Sequence, residues 1–125
     1  MKINSLFYIL SIVIILFLNS CATSMSPIQV NRTLPALTKS KFISQVETEK
    51  IISTNSCKYL VKGRKYNAPM GLSTNHDLKN AAKGIDEWVA LDEGNSYVLI
   101  NYQWVTVDQY GSTQLQVEFD TMLCE

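Results

Sequence analysis

From Leu6 to Leu18 the chain runs thirteen residues without a charge, and this run decides how much of the sequence is free to fold. A helix that spans a bilayer stably needs roughly 20 apolar residues, because the hydrocarbon core is ~30 Å thick and each residue rises ~1.5 Å. Thirteen fall short of that and fit the apolar centre of a secretory signal peptide, usually about 7–15 residues long. Lys2 is the one basic side chain before it. Residues 1–20 are therefore read as a cleaved segment, to be set aside before any fold is considered. An uncleaved N-terminal anchor is the alternative.

The run stops at Leu18-Asn19-Ser20-Cys21. An aliphatic residue, a spacer, a small residue and then cysteine resemble the bacterial lipobox. The resemblance implies that Cys21 is acylated on its thiol and becomes the mature N-terminus. Each buried methylene contributes ~0.8 kcal/mol, so two or three acyl chains hold a protein on a membrane almost permanently. Ala22 follows, where some proteobacteria place Asp as an inner-membrane retention signal. The expected location is the envelope, lipid-anchored in the outer membrane and facing the periplasm.

Residues 22–45 are rich in Ser, Thr, Pro, Asn and Lys and show no clear period. Such a stretch buries too little apolar surface to offset its ordering entropy. Residues 21–45 are thus expected to be the lipidated cysteine and a flexible tether, with an r.m.s. reach of roughly 25–30 Å. That leaves 46–125 for one small domain. Eleven basic and eleven acidic side chains balance in the full chain. Without the signal segment the balance is about −1, which gives no electrostatic footprint for nucleic acid.

Cys57 and Cys124 bracket that domain. In an oxidising compartment an even pair in a small domain reads as a disulfide, with two buried thiols as the alternative. Closing so long a loop contributes at most ~4 kcal/mol by the chain-entropy argument.

Within the domain, Val46–Ile52 leans toward a short strand, followed by a turn at Ser53–Ser56 and a second strand from Cys57 to about Tyr66. Thr74 and Asp77 have capping-box spacing. Leu78, Ala81, Ala82, Ile85, Trp88 and Val89 then form one apolar helical stripe. Gly84 weakens that helix, and its small neighbours allow close approach to a sheet. Gly94 is the expected stop. Tyr97–Val107 is β-branched and aromatic, as a central strand is. After a turn at Asp108–Ser112, Leu115, Val117, Phe119, Thr121 and Leu123 alternate with polar residues, as in a half-exposed antiparallel strand. The expected class is α+β: a small antiparallel sheet of about four strands in the order β-β-α-β-β, with one helix packed on one face.

The ordering of these pieces carries a family resemblance. A cysteine opens a strand, Asp77-Leu78-Lys79-Asn80-Ala81-Ala82 lies in the helix, Gly94-Asn95-Ser96-Tyr97-Val98-Leu99-Ile100 enters the next strand, and Met122-Leu123-Cys124 ends the last. Over residues 46–125 this resembles the RcsF-like envelope lipoproteins. The resemblance implies an early cysteine paired with a late one and a role in sensing envelope stress. That group carries two disulfides in the domain, whereas only Cys57 and Cys124 are available here.

Chemistry is sparse. His76 is the only histidine and has no companion ligands at metal-binding spacing. No nucleophile elbow, zinc-protease helix or phosphate loop occurs. Asp86/Glu87 and Asp92/Glu93 are adjacent pairs that read as a solvated helix face. No catalytic residue, cofactor or metal is expected, and the chain is read as a non-enzyme. The candidate binding surface is Lys58, Lys62, Arg64 and Lys65, suited to an envelope protein, lipopolysaccharide or peptidoglycan. Lysines that guard a strand edge are the competing reading. A small periplasmic inhibitor or immunity-type binder is the alternative to a sensor.

Overall fold

A computed structural model describes residues 27–125. The signal segment 1–20, the acylation candidate Cys21 and residues 22–26 lie outside the described residues. The elements are α1 (Pro27–Leu37), β1 (Lys41–Ile43), α2 (Gln45–Ser53), β2 (Cys57–Asn67), α3 (Thr74–Leu91), β3 (Ser96–Thr106) and β4 (Thr113–Cys124). The four strands form one sheet in the order β1-β3-β4-β2. β4 pairs antiparallel with both β3 and β2, while β1 runs parallel to β3.

The α+β class, the four strands and the helix packed on one face are as expected; the sheet is mixed rather than wholly antiparallel, because β1 joins β3 in parallel, and two segments differ. Val46–Ile52 is helical, within α2, and the first strand is the short Lys41–Ile43. The reason is local: Ser44 accepts from the Glu47 amide while the Glu47 carboxylate accepts from the Ser44 amide, a complete capping box ahead of Gln45. The second difference is the extent of the tether. Residues 27–45 belong to the fold, since Val30 and Leu34 of α1 are fully buried in the main core. Pro27 suits a first helical turn, where its missing N–H leaves nothing unpaired.

The main core lies between the sheet and the pair α1 and α3. Leu78, Ile85, Leu115, Val117 and Phe119 are each 0% exposed there. A smaller cluster on the other face joins Ile43, Cys57, Val98 and Met122, with Ile51 and Ile52 of α2 packed on it. α2 covers one end of that face. Beyond it the surface is polar, with Gln103 bonded to Gln116 and Gln116 to Asn67 across three strands.

Three contacts explain how α3 sits. Its N-cap is Ser73, whose hydroxyl accepts from the His76 amide, one residue before the expected Thr74. Asp77 reaches back to the Gly71 amide at 2.6 Å. At Gly84 the Tyr66 ring takes the place a side chain would need, so the helix lies close against β2. At the far end Glu93 adopts the left-handed conformation (φ 60°). Gly94 is required for a different reason: a Cβ there would lie 2.6 Å from the Met122 carbonyl oxygen.

Cys57 and Cys124 are bonded, in register across β2 and β4. The disulfide therefore joins the start of an edge strand to the end of its central neighbour.

Candidate functional site

β2 is an edge strand, and the four cations singled out from the sequence all lie on it. The strand does not bring them together. The register shifts between Tyr59 and Val61 and again between Val61 and Arg64, and Gly63 takes φ 72° within the second irregularity. A bulge of this kind re-aims the side chains that follow it. The buried Asp120 carboxylate accepts from the Gly63 amide at 2.8 Å and holds the distortion in place.

The consequence is clearest for Arg64. Its guanidinium lies 4.1 Å above the Trp88 ring and pairs with Asp92 through two nitrogens, one of them Nε at 3.1 Å from Oδ2. Asp92 also accepts from the Thr121 hydroxyl at 2.8 Å. The Arg64 hydrogen bond, with help from Thr121, holds the Asp92 carboxyl below its ordinary range. Arg64 is thus tied to the helix face of the sheet. Lys62 turns over the Tyr59 ring at 4.1 Å. Lys58 and Lys65 are exposed and lie opposite Leu123 and Glu118, on alternate faces. Lys58, Lys62 and Lys65 form an edge lined with cations, the arrangement that keeps an unpaired strand from adding another.

A groove of about 420 Å³ lies between the end of α1 and α3 and is lined by Leu37, Lys39, Lys79, Lys83, Asp86, Glu87 and Ala90. Sequence reasoning missed it because Leu37 and Lys39 were assigned to the tether. Asp86, expected on a solvated face, is a structural acceptor: the Lys39 and Ser40 amides donate to its two oxygens at 2.8 Å each. Those bonds hold the α1–β1 connection against α3. The neighbouring Lys83–Glu87 pair is long, at 4.0 Å, and both side chains are well exposed, so it adds little. Of the groove's two carboxylates, Asp86 is engaged by the backbone and Glu87 is well exposed.

Buried polar groups elsewhere are also spoken for. The Tyr97 hydroxyl shares a 3.0 Å hydrogen bond with Thr38, and burial pushes its pKa up to about 12. Among the described residues no three His, Cys, Asp or Glu side chains gather as a metal-binding set. Among them, too, no helix is long and apolar enough to cross a membrane. His76 stands in the first turn of α3 beside Gly71. No protein-family model, curated protein or solved structure matches the chain.

Proposed function

We propose that this chain is a lipid-anchored protein of the bacterial cell envelope that works by contact with a protein or envelope component rather than by catalysis. The observation that carries the reading is the Cys57–Cys124 disulfide in a domain that follows the apolar run and Leu18-Asn19-Ser20-Cys21. A disulfide suits an oxidising compartment, and the lipobox-like run supplies both the route there and the anchor. The polar sheet face and the open groove beside α3 offer surface to a partner, while Asp86 in the groove is committed to structural bonds. A sensory role like that of the RcsF-like lipoproteins is the finer form of the proposal.

Intact mass of the protein isolated from host membranes, beside a Cys21→Ala variant, tests it. The expected mass corresponds to cleavage before Cys21 plus acyl chains, with the variant released from membranes. An unprocessed, unacylated mass in both overturns the anchor. In-cell crosslinking of the acylated protein should then capture one recurrent envelope component, and a uniformly uncrosslinked protein counts against action by contact.

A further inference from the structure

α1 ends where β1 begins, and α3 ends where β3 begins. Because β1 and β3 are parallel, the two helices run in the same direction on the same face. The bonds from the Lys39 and Ser40 amides to Asp86 place the end of α1 level with the later part of α3. Ten residues back along both helices puts Pro27 level with the first turn of α3, near His76.

That turn stands at one end of the sheet, together with the 68–73 connection and the 107–112 hairpin turn. Ala68 donates to the Leu115 carbonyl at the start of β4, so the two loops are neighbours. They carry half of the exposed large apolar side chains among the described residues: Met70 (54%), Leu72 (101%), Val107 (45%) and Tyr110 (84%). The others are spread over α1, α2, α3 and β3.

Both loops are braced. The Gly71 amide donates to Asp77 and the Asn80 amide side chain to the Pro69 carbonyl. In the hairpin turn the Tyr110 and Ser112 amides donate to Asp108. The 68–73 loop has no charged residue, and the one carboxylate of the 107–112 turn is engaged by its own backbone. Apolar side chains are thereby held outward by polar bonds made behind them, and a tyrosine stands among them, as at membrane–water boundaries.

We propose that this end of the sheet rests in the interfacial region of the bilayer to which Cys21 is attached. The inference builds on the acylation of Cys21 proposed above. Chain length chooses the occupant: Pro27 is only six Cα steps from Cys21, which fully extended span about 22 Å. To lay the disulfide end on the membrane instead, those steps would have to stretch along nearly the whole of α3, which from His76 to Leu91 also runs about 22 Å. The two loops carry no cation and a single carboxylate, Asp108, which its own turn engages, so contact with neutral phospholipid is expected to be insensitive to salt.

The test uses the lipoprotein isolated from membranes and reconstituted into phosphatidylcholine vesicles containing a photoactivatable phospholipid. Intact mass is read on the same sample. Lipid adducts are expected on residues 68–73 and 107–112, at low and high salt alike. The double variant Leu72→Ser/Tyr110→Ser, altered only at exposed positions, should retain its melting temperature and lose these adducts several-fold. An acylated protein with adducts elsewhere, or unchanged in the double variant, overturns the inference alone. An unacylated protein overturns the anchor and the inference together.

Discussion

The ring of Tyr66 fills the space that a side chain on Gly84 would occupy, so β2 and α3 meet through an aromatic ring seated on a bare stretch of helix backbone. Gly84→Ala raises helix propensity by up to ~1 kcal/mol but drives a methyl group into that ring. Overpacking of this kind costs about 1–3 kcal/mol. The substitution is expected to destabilise the domain in urea unfolding. Combined with Tyr66→Leu it should cost less than the sum of the two single changes, whereas additivity would mean that the contact is not what limits the site.

Asp92 links three elements: it follows α3, pairs with Arg64 of β2 and accepts from Thr121 of β4. Asp92→Asn should destabilise by about 1.5–3 kcal/mol, the range for hydrogen bonds to a charged group. Its carboxyl is held low, chiefly by the Arg64 hydrogen bond, so its stabilising effect is complete above the unfolded carboxyl value near pH 4. That effect is lost as pH falls from there through the folded value. Asp108, lowered by the Ser112 hydroxyl and amide, contributes in the same direction. Acid unfolding of the Asp92→Asn protein should therefore show a shallower loss of stability below about pH 4, and an unchanged acid limb would remove Asp92 from the account.

Leu34 is fully buried in the main core, so Leu34→Ala separates a packed α1 from a tether.

 A buried Leu→Ala change costs about 2–5 kcal/mol, while the same change in an unpacked linker costs close to nothing. Thermal or urea unfolding of the variant is expected to show the larger loss. A wild-type midpoint would return residues 27–37 to the tether.

The Cys57–Cys124 bond closes a loop with a sequence separation of 67 residues. Its removal by Cys124→Ser should lower stability by up to about 4 kcal/mol, and the variant should no longer respond to reductant. Non-reducing gel mobility should change as well. If reductant leaves the wild-type melting temperature unaltered, the bond does not hold the domain together.

The parts of this fold that were legible in the sequence are those whose period is long and unbroken. The α3 stripe from Leu78 to Val89 and the alternation of β4 are both found where their patterns placed them. α1 was obscured by Pro35, which lies within it, although Val30, Leu34 and Leu37 have helical spacing. α2 was read as a strand because Val46, Ile51 and Ile52 are β-branched, while Ser44 and Glu47 already had the spacing of a capping box. The basic cluster was drawn from adjacency along the chain. What divides it is the bulge around Gly63, and a lone glycine in a strand signals such a feature without saying which way the next side chain turns. The groove beside α3 was out of reach once its α1 wall had been assigned to the tether.

The disulfide also has a mechanical meaning. It encloses residues 58–123, and so α3, β3 and nearly all of β2 and β4, within one covalent ring, leaving α1, β1 and α2 on the N-terminal side. A pull arriving along the chain from that side reaches the three outer elements first. Peeled away, those roughly 30 residues extend to about 100 Å, after which the load passes through Cys57 to Cys124 and the ring is bypassed. The N-terminal elements would serve as slack, and the ringed sheet would keep its shape while they yield.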